Sequence, residues 1–103
     1  MKTIKPLAVL VSLGIGVLLA PTAVADDKDD LFLLGLESES IDLPESTALA
    51  AAHQVCTDFA SGATQEEVVL NTMASTGLSL NDAGFLGGAA IYAYCPQYES
   101  RIH

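Results

Sequence analysis

Basic residues are scarce in this chain: four Lys and Arg stand against 13 Asp and Glu in 103 residues, a formal charge of −9. A surface of that sign repels phosphate backbones and anionic headgroups, which excludes direct nucleic-acid binding. Cysteine is almost as scarce, with only Cys56 and Cys95, so any disulfide has a single possible pairing. No segment alternates convincingly as a strand, and no glycine-rich phosphate loop or glycine-flanked serine of the nucleophile-elbow kind is present. The longest apolar run, Leu7 to Ala20, has 14 residues, short of the ~20 that span a bilayer. There is no internal repeat and no second domain.

That apolar run dominates a mean hydropathy that would otherwise suggest a membrane protein. Lys2 and Lys5 precede it, and Pro21 leads into Ala23-Val24-Ala25. The order of charged, apolar and small-residue regions is that of a secretory signal peptide over residues 1–25, with cleavage expected between Ala25 and Asp26. The absence of a twin arginine favours the general secretory route, and no cysteine follows the junction to carry a lipid anchor. The expected location is therefore secreted or cell envelope, with no stable membrane span after cleavage. All 13 acidic residues lie beyond Ala25, with only Lys28 and Arg101 to oppose them, so residues 26–103 carry −11.

Residues 26–103 amount to one domain with a core near the lower limit for folding unaided. Export places Cys56 and Cys95 where thiols oxidise. Closing a loop of about 40 residues stabilises a fold by roughly 4 kcal/mol in the chain-entropy model.

The expected class is all-α, a small bundle of three to four short helices closed by one disulfide. A first helix is expected over about 29–36, where Leu31, Phe32, Leu33, Leu34 and Leu36 nearly surround the axis, a pattern that suits burial on more than one side or docking into a groove. Glu37 to Ser40 reads as a polar linker, and Ile41 and Leu43 as loop residues pinned to the core. Pro44 opens a second helix to about Ser61, with Leu49, Ala52, Cys56 and Phe59 on one face, and Gly62 ends it. Thr64-x-x-Glu67 is a capping box that starts a third helix carrying Val68, Val69 and Met73, and Gly77 stops it. Ser79-x-x-Asp82 caps a fourth, running to about Cys95 before Pro96. Gly84, Gly88, Ile91 and Cys95 line one face of that helix. Glycines at such spacing read as a close backbone approach, here to the second helix.

Taken together, Ala52-His53-Gln54-Val55-Cys56, Gly62-Ala63, Val68-Val69, Gly77-Leu78-Ser79 and Ala93-Tyr94-Cys95-Pro96 behind a signal peptide give the chain a resemblance to a family of small secreted mycobacterial proteins known as domain of unknown function 732. The likeness covers about residues 30–96. It implies an all-helical, disulfide-closed, exported domain and brings no activity, substrate or catalytic residues. The polar stretch Glu37 to Ser40 departs from the tighter, glycine-ended first helix of that family.

Candidate chemistry is sparse. His53-x-x-Cys56 with Cys95 and His103 can be drawn as a zinc site, but only with both thiols reduced. Ser61, Asp58 and His53 sit near one helix end without sharing a face, and Glu66 and Glu67 point to different sides of a helix. The acidic cluster Asp26, Asp27, Asp29 and Asp30 lacks the glycine and distal glutamate of a calcium loop. No catalytic residue, cofactor or metal is assigned, and an enzyme is not expected. The expected function is an exported binding or interaction module, with His53, Tyr92 and Tyr94 as a possible binding face and a protein or small apolar ligand of the envelope as partner. The alternative is a self-associating structural protein of the envelope, and a remote one is metal binding through His53, Cys56 and Cys95. The exported protein is expected to begin at Asp26 and to weigh about 2 Da less than the dithiol form, because a disulfide removes two hydrogens. Free thiols in the intact secreted chain would overturn that expectation.

Overall fold

A computed structural model describes residues 27–102, and the expected signal peptide, the Ala25–Asp26 junction and His103 lie outside them. The described chain is all-helical. Helix α1 covers 27–38, α2 Glu45–Ala60, α3 Gln65–Thr76 and α4 Leu80–Tyr94, and a 3-10 helix closes the chain at Pro96–Arg101. Among the described residues there is no strand, and no helix is long and apolar enough to cross a membrane.

The caps explain where the helices start and stop. Thr64 accepts from the Glu67 amide while the Glu67 carboxylate accepts from the Thr64 amide, satisfying two orphan donors at the start of α3. Ser79 does half of this for α4, accepting from the Asp82 amide. At the end of α2, Gly62 takes a left-handed conformation, φ 95°. The Ala63 amide then reaches back to the Asp58 carbonyl and the Gly62 amide to that of Phe59, which is the Schellman arrangement.

Helix α1 outlasts its expected end by two residues, and the reason is a second closure of the same kind. The Ile41 amide bonds the Leu36 carbonyl and the Ser40 amide that of Glu37. Ser40, at φ 57°, occupies the left-handed position that usually belongs to glycine. What reads as a polar linker is thus the last turn and cap of the helix, with the Ser38 hydroxyl donating to the Gly35 carbonyl. The apolar contact that accompanies such a cap is present, since Leu36 and Ile41 are both in the core.

One core unites the four helices. Phe32 and Leu36 come from α1, Ala48, Ala52, Val55 and Phe59 from α2, Val68 from α3, and Leu86, Ala90 and Ile91 from α4. Alanines on α2 and α4 keep these two helices close, and Cys56 on α2 is bonded to Cys95 at the end of α4, with their Cα atoms 6.0 Å apart. The bond closes a separation of 39 residues, worth about 4 kcal/mol by the loop-entropy argument.

One expectation about this interface is corrected. Ile91 and Cys95 do face the core, but Gly84 is exposed and Gly88 only half-buried. A Cβ built on Gly84, Gly87 or Gly88 would meet nothing within 4 Å. Ala83, Leu86, Gly87, Ala90, Ile91 and Ala93 form the buried face instead. The glycines leave space rather than admit a second backbone.

Because Ser40 holds a conformation that costs a side-chain-bearing residue about 1–2 kcal/mol, Ser40→Gly is expected to stabilise the fold by about 0.5–1 kcal/mol net of the extra freedom glycine gives the unfolded chain. A thermal or urea melt reads this directly, and an unchanged or lowered midpoint would contradict the cap assignment.

Candidate functional site

Helices α1 and α4 run antiparallel. Asp29 and Phe32 in the first half of α1 meet Tyr94 at the end of α4, while a Cβ built on Gly35 would lie 4.0 Å from that of Ala89. Phe32 and Leu36 take the inner side of α1, which leaves Leu31 and Leu34 facing outward at 51% and 61% exposure. From α4, Phe85 and Tyr92 stand opposite at 36% and 67%. Between these two walls runs an open groove of about 420 Å³ whose lining is almost wholly apolar, with Gly35 and Gly88 contributing to its floor. Single exposed hydrophobic residues need no explanation, but four that converge on one glycine-floored concavity in a chain of this acidity form a patch of the kind that marks interaction sites.

Leu34 is a ridge shared by this groove and a second concavity of about 500 Å³. The second is lined by Leu33, Ile41 and Leu43 together with the carboxylates of Asp30, Glu37 and Asp42. A smaller cleft of about 170 Å³ lies on the other flank of the glycines, bounded by Phe59, Val68, Ile91 and Ile102. The 3-10 helix leads to that flank. Tyr98 stacks on Phe59 at 5.9 Å between ring centroids. Arg101 lies 5.5 Å over the same ring and donates to the Ala63 carbonyl. This anchoring went unread in the sequence, where Tyr98 reads with Tyr92 and Tyr94 as an aromatic end.

The expected binding face divides. His53 is exposed, with its ring 4.7 Å from that of Tyr94, and Tyr94 also meets Phe32 at 5.8 Å. Its hydroxyl donates to Asp29. Burial, then the hydrogen bond to Asp29 and the charge of that carboxylate, hold the Tyr94 phenol well above its usual range. Tyr92, two positions earlier, points away by roughly 200° of helix rotation and joins the groove instead. Tyr94 therefore clasps α1 beside the disulfide with His53 against its ring, and Tyr92 belongs to the apolar surface.

The other constellations resolve into local structure. The zinc arrangement through His53, Cys56 and Cys95 is corrected, because the two sulfurs are bonded to each other and a thiolate is what a metal needs. His103 lies outside the described residues. Among the described residues no group of three potential ligands gathers. Ser61 donates its hydroxyl to the Thr57 carbonyl, and the Asp58 carboxylate accepts from Gln54 and Asn71, so these two are engaged within α2 and with α3 rather than with His53.

A family described as "Protein of unknown function (DUF732)" matches residues 26–97. An uncharacterized protein of Mycobacterium bovis is 34% identical over 92 residues, covering 88% of this chain and 81% of the relative. Uncharacterized proteins of the CDC 1551 and H37Rv strains of Mycobacterium tuberculosis match at the same identity and coverage. No solved structure matches the chain.

The Tyr94–Asp29 clasp sets an alkaline limit. A phenol whose folded pKa exceeds its unfolded value of about 10 stabilises the fold fully below pH 10 and progressively less above it. Stability is expected to fall above pH 10 by up to about 1 kcal/mol per pH unit beyond the slope seen in Tyr94→Phe. Identical alkaline slopes in urea titrations of the two proteins would refute the clasp.

Proposed function

The chain belongs to this family of proteins of unknown function, and from that premise we propose that it is an exported binding module of the cell envelope or extracellular space, with the α1–α4 groove as its docking surface. The observation that carries the reading is the convergence of Leu31, Leu34, Phe85 and Tyr92, all 36% exposed or more, on one apolar concavity. Concave apolar surfaces between helices are where small helical domains take their ligands. Export is supported by the order of Lys2 and Lys5, the apolar run and Ala23-Val24-Ala25, and by a disulfide that suits an oxidising compartment. Binding rather than turnover is supported by the groove's lining, which is almost wholly apolar and has the Tyr92 phenol as its one titratable side chain.

The glycine at the groove floor favours the same reading. In a helix interior Gly88 costs up to about 1 kcal/mol against alanine, and nothing within 4 Å would oppose the added methyl. A residue that weakens its helix and fills no space is accounted for if the space is used.

Titration of the processed protein with the neutral apolar dye Nile red is expected to show one saturable site. Leu34→Glu and Tyr92→Ser, both at exposed positions, should each weaken capture at least about tenfold with the helical circular dichroism unchanged. Gly88→Ala should weaken it while raising the melting temperature. Unaltered capture by the two wall variants would remove the groove as the docking surface.

A further inference from the structure

The groove does not stand alone on its surface, and its neighbour selects what can occupy it. Across the single ridge of Leu34 lies the cleft in which Asp30, Glu37 and Asp42 surround Leu33, Ile41 and Leu43. Apolar strip and carboxylate rim are therefore parts of one continuous face. Little positive charge is available within the protein to offset that rim. Only Lys28 and Arg101 are basic beyond residue 25, and Arg101 is engaged at the α2–α3 loop with Ala63 and Phe59.

Resting on the reading of the α1–α4 groove as a docking surface, we propose that its occupant is an amphipathic helical segment of a partner protein, with an apolar stripe flanked by Lys or Arg. The apolar stripe lies between Leu31 and Leu34 on one side and Phe85 and Tyr92 on the other. The cations reach over Leu34 to Asp30, Glu37 and Asp42. Three features of the face point to a helix. The described residues contain no strand, so there is no sheet edge for an extended peptide to join. The groove runs along α4 from Phe85 to Ala93, about 12 Å at 1.5 Å per residue, which matches anchors at i, i+3 or i+4, and i+7 of one bound helix. Gly35 and Gly88 at the floor leave room for those anchors to enter.

The same charge pattern rejects the other occupants. A second copy would bring another 13 carboxylates against these, and like charges facing across an interface oppose association. A fatty-acid carboxylate or an anionic lipid headgroup meets the same repulsion. A cationic helix meets attraction, which accelerates encounter and fixes orientation more than it deepens affinity.

The test uses the protein purified as its host exports it and three synthetic helical peptides with one apolar stripe flanked by Lys, Gln or Glu, followed by fluorescence anisotropy. Affinity is expected in the order Lys, Gln, Glu, with at least about a tenfold span at low salt. The span should shrink severalfold in 1 M NaCl, where the screening length is about 3 Å. Asp30→Asn, Glu37→Gln and Asp42→Asn combined should erase the preference, bringing the three peptides to within about twofold of one another. Should that triple variant lose its helical signal, Asp42→Lys alone, in the exposed loop before α2, is expected to weaken the Lys peptide. Equal affinity for the Lys and Glu peptides, or a preference that survives these variants, overturns the cationic partner and leaves the groove standing. Nile red captured with no peptide bound overturns the helical partner in favour of a small apolar ligand, and capture of neither removes the groove itself. A dimer in sedimentation that Leu34→Glu disperses puts a second copy in the groove and overturns the proposal.

Discussion

The covalent bond between Cys56 and Cys95 is the constraint on which the rest of this small domain depends. It ties the second half of α2 to Cys95, the residue that follows α4, and the two helices it joins supply most of the core. Much of that core is alanine, which allows helices to approach closely but buries little area per residue. A fold of this size is near the point where burial alone ceases to outweigh chain entropy. The bond acts on the other side of that balance by restricting the unfolded chain. Its position has local consequences too. Tyr94, adjacent to Cys95, is held where its ring meets His53 and Phe32 and its hydroxyl meets Asp29. The 3-10 helix starts at Pro96, which delivers Tyr98 and Arg101 to Phe59.

Helix positions were legible in the sequence wherever a boundary was set by residues acting on their own backbone. Thr64 with Glu67, Ser79 with Asp82, Gly62 and Gly77 each mark a terminus within one residue, because capping and left-handed closure are short-range chemistry. The end of α1 was not legible for the same physical reason. Its left-handed residue is Ser40, whose identity carries no signal of positive φ, and the surrounding glutamates and serines look like a linker.

The candidate site was legible in part. Five apolar residues around α1 read as contact on more than one side, and they divide three ways, Phe32 and Leu36 inward, Leu31 and Leu34 to the groove and Leu33 to the neighbouring cleft. The α4 glycines were misread because a missing side chain says nothing about what lies opposite it. Close approach of a backbone and an empty cleft leave the same trace in sequence, and only the placement of the neighbouring helices decides between them. The carboxylate rim was hidden for a related reason. Asp30, Glu37 and Asp42 lie on two successive elements and read separately as a helix start, a linker and a loop until the Schellman turn at Ser40 folds them around one cleft.

Acidity and exposed hydrophobicity are usually at odds, since charge keeps a protein dispersed and apolar patches bring copies together. On this molecule the two are adjacent, and each limits what the other permits. Without the carboxylates, four exposed apolar side chains around a glycine floor would be a ready self-association surface; without the groove, the charge would serve solubility alone. Placed a single leucine apart, they give the proposed docking surface both an apolar strip and a carboxylate rim. The marginal core sharpens the point, because Gly84, Gly87 and Gly88 each forgo helix stability that alanine would supply without a clash. A domain that relies on a disulfide to offset its small core, yet leaves those positions unfilled, has its stability limited by the space they leave, which at Gly88 opens into the groove and at Gly84 and Gly87 into the cleft beside Phe59 and Val68.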